Sequence, residues 1–284
     1  MARAKLPPTI RQRRLGAELR RMREHADLSV TQAAQLFGAP QTRISNIESG
    51  GYAVSADRVR ALAHLYACTD DQLVEALASM TGGRTRGWWE GYREILPSDA
   101  LDLAELEHHA GTIRIASVIH MPGLLQTRDH ARTVISDGVP PMAAYEVEHR
   151  VSHRLKRQGV VHGQSATPLT AIIHEAALRM EFGGSAVARA QLQHLVERGE
   201  EPHVTVLVIP FGASRFPGAG NGIVQFDGEI PKLDTVQLDT DHGSVFIDSE
   251  AQLAKYRTIL DHMESCALSP SESRDLILRT MHEM

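Results

Sequence analysis

Cysteine is scarce in this chain, and long apolar runs are missing. Its 284 residues include two cysteines, Cys68 and Cys266, which stand far apart and outside any CxxC pattern. This spacing argues against a disulfide framework and against a cysteine-based metal site. No apolar run approaches the ~20 residues that a membrane-spanning helix needs, and no apolar segment follows the basic N-terminus as it would in a secretory signal. We therefore expect a protein of the reducing cytoplasm.

The usual signatures of catalysis and nucleotide binding are also missing. The chain contains no GxSxG motif and no GK[ST] phosphate loop. His174 and Glu175 begin an HExxH zinc pattern, but Leu178 stands where the second histidine would be. A packed strand-to-helix junction with hydrogen-bonded side chains explains this pair better. We predict no enzyme, no catalytic residue and no cofactor.

Histidine spacing offers one candidate metal pair. His149 and His153 are four residues apart on a predicted helix, the spacing at which two imidazoles can share a metal. The chain has 15 histidines, so such a pair also arises by chance. Arginines on the same helix fit a solvated basic face or an anion contact equally well. Our prediction is that no metal is bound.

A glycine-rich segment follows a predicted strand at Gly218, Gly220 and Gly222. The spacing is not that of a dinucleotide loop, and a strand rather than a helix is expected next. A mobile loop is the plain interpretation. The alternative is a lid over a pocket near Pro210, Phe211 and Phe216.

Charge is divided unevenly along the chain. Residues 1–86 carry 13 Lys/Arg against 8 Asp/Glu, whereas residues 87–284 carry 17 against 27. Most of the basic excess lies before Val30. A basic N-terminal part on an acidic body indicates a polyanion as the partner of the first part. A solvated helix face is the alternative explanation.

The segment from Leu28 to Gly50 predicts two short helices joined by a tight turn. Ala34 is small enough for the helices to cross closely, and Gly38 can end the first helix with a positive φ. Ile44 and Ile47 would bury the inner face of the second helix. Together these are the requirements of a helix-turn-helix, because an ordinary helical hairpin needs no glycine at this offset from the isoleucines.

Residues 12–78 resemble the phage-repressor or Xre-type helix-turn-helix domain, including the ISNIESG ending and the later VRALAHLYACTDDQLVEAL helices. In that family the third helix lies in the DNA major groove. The resemblance places Gln41, Thr42 and Asn46 at base edges, where amides can bond adenine bidentately. Phosphate contacts would come from Ser29, Arg14 and the basic first helix, and Arg43 would lie on the flank nearest the DNA backbone. The implied DNA-binding set is Arg14, Ser29, Gln41, Thr42, Arg43, Ser45 and Asn46. A helical protein-interaction bundle is the alternative.

The rest of the chain predicts a second domain of mixed type. The expected organisation is an all-α helix-turn-helix domain at 1–80, a linker at 81–87 and an α+β domain with a mixed sheet at 88–284. HVTVLVIPF is the clearest strand. Trp88 and Trp89 would open the second domain as packing anchors.

Several fragments of this second part resemble the WhiJ-like regulators of actinobacteria. The markers are residues 122–127 (PGLLQT), 154–158 (RLKRQ) and 175–179 (EAALR), and the resemblance covers about residues 10–280. It implies transcriptional control and a small partner protein encoded nearby. Some members of that family are described as antitoxin-like.

We therefore predict a sequence-specific DNA-binding regulator whose second domain dimerises, senses a ligand or binds a protein partner. A homodimer is expected because such modules bind two half-sites one DNA turn apart. The alternative is an antitoxin-like protein that holds a small partner and represses its own promoter. Apolar residues of the two C-terminal helices fit either a dimer contact or, as we favour, a core within the domain: Leu253, Tyr256, Ile259, Leu260, Leu276, Ile277 and Leu278.

Overall fold

The chain divides into two compact units. The computed structural model describes residues 7–81, 87–163, 165–218, 220–240 and 242–284. The first unit comprises Met1–Glu90 with Glu229–Leu233, and the second comprises Gly91–Gly228 with Asp234–Met284. Trp88 and Trp89 fall in the first unit by this division, although we expected them to open the second. Most of the predicted linker, residues 82–86, lies outside the described residues.

The first unit is helical, as predicted. Its helices are α1 Ile10–His25, α2 Val30–Phe37, α3 Gln41–Glu48, α4 Ala56–Leu65 and α5 Asp71–Ser79. Capping boxes open the first two helices, at Thr9 with Gln12 and at Ser29 with Gln32. In each box two backbone N–H groups that the helix leaves unpaired gain a side-chain partner. The capping residues thus fix where the helices begin.

Apolar side chains from all five helices form one core in the first unit. Leu19, Ile44, Leu62 and Leu77 are almost completely buried in it. Burying each such side chain stabilises the fold by roughly 1.5–3 kcal/mol. Ala33 and Ala34 are buried beside them on α2. The segment Glu229–Leu233 also belongs to this unit, and Ile230 and Leu233 pack on its core.

A mixed six-stranded sheet organises the second unit. Its strands are β1 Thr112–Ser117, β2 Leu169–His174, β3 Val204–Ile209, β4 Ile223–Asp227, β5 Thr235–Thr240 and β6 Gly243–Ile247. The spatial order is β3-β2-β1-β4-β5-β6. Strands β1, β2 and β3 are parallel to one another. The pairs β1–β4, β4–β5 and β5–β6 are antiparallel. The predicted α+β domain with a mixed sheet is therefore confirmed.

Helices cover both faces of this sheet. They are α6 Ser98–His109, α7 Arg128–Ser136, α8 Ala144–Arg157, α9 Glu175–Arg179, α10 Ser185–Arg198, α11 Glu250–Cys266 and α12 Pro270–Glu283. Ile113 and Ile115 of β1 join the core formed with α10 and α12. Ala116 joins the core on the opposite face, with α11. This alternation follows from the two-residue side-chain period of a strand.

The C-terminal helices bury their apolar residues inside their own domain. Leu253 and Leu260 of α11 lie in one core, and Leu276 and Ile277 of α12 lie in the other. The favoured alternative, a core rather than a dimer contact, is confirmed for these side chains. Among the residues that the structure describes, no helix is both long enough and apolar enough to cross a membrane.

Candidate functional site

Helix α3 has a buried face and a polar exposed face. Ile44 and Ile47 point into the core and are nearly inaccessible to solvent. The exposed residues are Gln41, Thr42, Arg43, Ser45 and Asn46. Hydrogen-bonding side chains thus cover the whole outward side of α3. The structure brings together five of the seven residues in the predicted DNA-binding set.

Close backbone packing holds α3 against α1. Gly38 adopts a left-handed φ of 68° at the end of α2, which turns the chain sharply before α3. A Cβ placed on Gly16 of α1 would stand 2.5 Å from the carbonyl oxygens of Ile47 and Glu48. Only glycine permits this approach, so Gly16 determines how deeply the end of α3 sits on α1.

A residue that the sequence did not single out supports Arg43. The Arg43 guanidinium lies 5.8 Å from the centroid of the Tyr52 ring, a cation–π arrangement. The Tyr52 backbone N–H donates to the Asn46 carbonyl oxygen at 3.0 Å, which fixes the loop after α3. Tyr52 is half-exposed. An aromatic residue four positions after a predicted recognition helix gives no signal by itself, which is why sequence reasoning missed it.

Ser29 lies at the surface but already has a structural role. Its Oγ accepts a hydrogen bond from the Gln32 backbone N–H at 3.2 Å and donates to the Gln32 side chain at 2.7 Å. Ser29 is nevertheless exposed at the N-terminus of α2, where backbone N–H groups favour a phosphate. The N-terminus of α2 therefore stays in the candidate surface.

Three arginines of α1 form ion pairs within the first unit. Arg20 pairs with Glu24 at 2.7 Å, and Arg21 pairs with Glu18. The Arg23 guanidinium is buried and forms two hydrogen bonds with the Glu48 carboxylate. Carboxylates of the same unit thus neutralise much of the charge that the sequence suggested for DNA.

Arg14 is a correction to the predicted DNA-binding set. Its side chain is buried, its Nε lies 3.2 Å from Glu18 Oε1, and its Nη2 donates to the Lys232 carbonyl oxygen. A phosphate contact requires an exposed guanidinium, because the DNA backbone approaches from solvent. We therefore withdraw Arg14. Helical periodicity could not have revealed this, since the partners come from burial and from residue 232.

Comparison with known protein families matches both units of the chain. Residues 14–77 match the model described as Helix-turn-helix domain. Residues 100–279, more than half of the chain, match the model described as Domain of unknown function (DUF5753). The chain belongs to the DUF5753 family. No match was found among curated proteins or among solved structures. Because helix-turn-helix domains bind DNA, the first match suggests DNA as a partner.

The DUF5753 domain contains the incomplete zinc pattern at the end of β2. His174 Nδ1 accepts from the Ala176 backbone N–H at 3.1 Å and so caps α9. Glu175 pairs with Arg179 and accepts from the Phe211 backbone N–H at 2.9 Å. Burial tends to raise the pKa of Glu175, but these hydrogen bonds hold it below its ordinary value. The packed strand-to-helix junction is confirmed.

The two histidines of α8 occupy different surroundings. His153 is buried beside the Tyr92 ring, with ring centroids 5.1 Å apart, and burial lowers its pKa to about 3. His149 lies at the Tyr145 ring. Within the described ranges, no group of three or more His, Cys, Asp or Glu residues is arranged to hold a metal ion.

A cavity of about 690 Å³ lies inside the DUF5753 domain. It is lined by the end of β1, by one side of α6 and by the last turns of α8. Gln237, Asp239 and Ser244 line its sheet side, and Arg154 and Arg157 line its helix side. The volume falls within the ~300–1,000 Å³ typical of small-molecule sites.

Glutamines hold one wall of this cavity rigid. Gln126 donates to the Met121 carbonyl oxygen at 2.8 Å and accepts from Arg154 Nη1 at 2.8 Å. Gln158 donates to the carbonyl oxygens of Gly123 and Gln126. Residues 122–127 and 154–158, two of the three markers of the WhiJ-like resemblance, therefore meet in this wall.

Two glycines of the glycine-rich segment line this cavity, whereas Gly218 lies beside Ile259 and Met263 of α11. Gly220 and Gly222 border the cavity on its sheet side. Phe211 is mostly exposed and Phe216 packs in the core beside α11, so neither residue lines the cavity. The suggested lid over a pocket near Pro210, Phe211 and Phe216 therefore stays a prediction. Residue 219 lies outside the described residues.

Proposed function

We propose that this protein is a sequence-specific DNA-binding transcriptional regulator of the WhiJ-like kind, and not an enzyme. The DUF5753 domain would sense a ligand, bind a partner or dimerise, and it would thereby control DNA binding. Such a regulator acts where the chromosome is, in the cytoplasm.

One observation carries the DNA-binding proposal. The outward side of α3 exposes Gln41, Thr42 and Asn46, while Ile44 and Ile47 anchor the helix in the core. Amide side chains on a rigid helix match the donor and acceptor pattern of adenine in the major groove. An interaction bundle would instead need an apolar stripe on this side. Arg43, held over Tyr52, supplies the charge for an adjacent phosphate.

The alternative is an antitoxin-like protein that holds a small partner protein. Exposed apolar side chains near the start of α8 offer such a partner an apolar contact. Val139 and Tyr145, just before and within the first turn of α8, are 95% and 66% exposed. A stoichiometric small protein that co-purifies from the native host would support it.

Selection of bound genomic fragments tests the DNA-binding proposal. Purified full-length chain would be mixed with sheared genomic DNA, the bound fragments sequenced, and the best site titrated with salt. We expect a symmetric site with half-sites about one helical turn apart, as two-fold symmetric helix-turn-helix dimers require. Absence of enrichment over random DNA would contradict the proposal and favour the antitoxin-like alternative.

A further inference from the structure

The cavity of the DUF5753 domain has a charged side and an apolar side. Arg154 and Arg157 of α8 stand on the charged side, below the backbone of Gly123. Leu103 and Ile115 contribute to the apolar side. Such a division suits a molecule with one charged group and an apolar body.

Arg157 is already matched by a carboxylate. Its Nε and Nη2 donate to the two Glu107 carboxylate oxygens at 2.8 and 2.5 Å, and both side chains are largely buried. A bidentate pair of this kind satisfies both charges. Arg157 therefore needs no anionic ligand itself, and it acts on the neighbouring Arg154 as a like charge.

Arg154 lacks such a match among the residues that the structure describes. It donates through Nη1 to the neutral Gln126 amide, and no carboxylate of the described chain lies within ion-pair distance. A guanidinium carries five N–H donors, and a buried charge is costly unless it is paired. Desolvation and the nearby Arg157 lower the pKa of Arg154 to about 10, while the Asp239 and Glu107 carboxylates act in the opposite direction and compensate part of its charge.

The opposite side of the cavity disfavours a second negative charge. The Asp239 carboxylate lines the cavity and accepts from Gln237 Nε2 at 2.7 Å. A ligand carboxylate placed there would be repelled, whereas a hydrogen-bond donor would be accepted. On this side of the cavity a second anionic end is therefore disfavoured.

We propose that this cavity binds a small organic molecule with a single oxyanion, a carboxylate or a phosphate, held by the Arg154 guanidinium, with its apolar body against Leu103 and Ile115. Gln126 orients the guanidinium, and Gln158 fixes the backbone that carries Gln126. The binding deepens the sensing role in the proposed function, but it does not require DNA.

Calorimetric titration of the full-length chain tests this proposal with four probes of equal chain length. They are hexanoate, hexyl phosphate, adipate and hexanol. We expect hexanoate or hexyl phosphate to bind, adipate to bind more weakly, and hexanol not to bind. The stronger of the first two identifies the oxyanion. DNA is absent, so failure here leaves the DNA-binding proposal standing, and the reverse also holds.

Variants of Arg154 complete the test. Arg154→Met should weaken binding of the preferred acid by about tenfold or more, the usual effect of losing a charged hydrogen-bond partner. Arg154→Lys, which keeps the charge and loses the planar fork, should be intermediate. Arg128→Met, an exposed arginine on α7 outside the cavity, is the matched control and should bind like the parent.

Three results would each overturn the proposal: neither acid binds, hexanol binds as tightly as the acids, or Arg154→Met leaves the affinity unchanged. Far-UV circular dichroism without ligand checks that each variant folds. If Arg154→Met does not fold, Arg154→Lys and the comparison with hexanol decide the question.

Discussion

The Arg23 guanidinium binds both carboxylate oxygens of Glu48, at 2.6 and 2.9 Å. Both side chains are only 7% exposed. Arg23 also donates to the Leu28 carbonyl oxygen at 2.7 Å. This pair joins α1 to the last residue of α3 and to the turn before α2. The position of the candidate recognition helix therefore depends on an ion pair that lies behind it.

Breaking the pair should unfold or loosen the first unit. Glu48→Gln removes the bidentate partner of the buried Arg23 and leaves only the half-exposed Glu24 carboxylate nearby, at 3.7 Å, so we expect a loss of about 3 kcal/mol in the free energy of unfolding. Urea denaturation of the full-length chain measures it, and hydrogen exchange in α1 and α3 assigns the loss to this unit. Arg20→Met, which removes an exposed pair on the same helix, should change little. Equal effects of the two variants would contradict this role of Glu48.

Asn46 should contribute to DNA sequence preference. Asn46→Ala should cost about 1–3 kcal/mol of affinity for the preferred site, because a base-edge amide is lost, and should leave affinity for random DNA nearly unchanged. Fluorescence anisotropy with both DNAs gives the comparison. Gln72→Ala, an exposed substitution on α5, is the control. Equal losses on both DNAs would show that α3 does not read the bases.

Arg43 and Arg14 should behave differently when replaced. Arg43→Met removes an exposed charge on α3, so binding should weaken on every sequence and the slope of log affinity against log salt should fall by about one. Arg14→Met should instead lower the thermal stability of the chain, because Arg14 is buried against Glu18 and Lys232. A change in salt slope for Arg14→Met without loss of stability would restore Arg14 to the DNA-binding set.

Gly16 should tolerate no side chain. Its added Cβ would meet two carbonyl oxygens of α3 at 2.5 Å, so Gly16→Ala must push α3 away from α1 and should cost roughly 1–3 kcal/mol of stability. Thermal melting and DNA binding should fall together. Gly51→Ala, whose Cβ would find its nearest neighbour at 3.5 Å, is the matched control and should be mild.

His130 should make the DUF5753 domain sensitive to acid. Burial, with smaller contributions from His120 and Arg154, lowers its pKa from 6.5 to about 4, and within the described part of the chain its ring nitrogens lack hydrogen-bond partners. Its imidazole meets the edge of the Phe182 ring. The unfolded chain takes up the proton first, so this contribution to stability is complete above pH 6.5 and decreases as the pH falls towards about 4.

The pKa shift of His130 corresponds to a loss of roughly 3 kcal/mol in the free energy of unfolding once the pH has fallen to about 4. Melting temperatures of the parent and of His130→Leu, measured from pH 7 to pH 4, isolate the contribution. Leucine is similar in size and cannot be protonated, so the variant should lose less stability on acidification. Parallel melting curves for the two proteins would contradict the assignment.

Local signals in the sequence were sufficient to predict the helices and strands and the exposed polar face of α3. The capping boxes at Thr9 and Ser29 and the glycine at residue 38 act over three or four residues, and Gly38 ends α2 as the sequence predicted. The burial of Ile44 and Ile47 follows from helical periodicity. The mixed α+β character of the second domain followed from alternating and helical patterns in the same way.

Contacts between distant residues were beyond such signals. Whether an arginine is exposed or paired with a carboxylate depends on which side chains the fold brings near it. The sequence does not distinguish Arg14 and Arg23, which are paired with carboxylates, from Arg43, which lies over an aromatic ring. The charge balance of residues 1–86 therefore overstated the basic surface.

The sequence by itself determined where the helices and strands begin and end, because caps, turns and periodicity are encoded within a few residues of one another. Only the tertiary structure decided which arginines are paired with a carboxylate and which can still bind another anion. Glu48 neutralises Arg23, and Glu107 neutralises Arg157, across 25 and 50 residues of chain. Arg154, three positions before Arg157, is left beside a cavity with a neutral amide as its partner. Pairing in a folded core is a matter of distance in space, which spacing along the chain does not report.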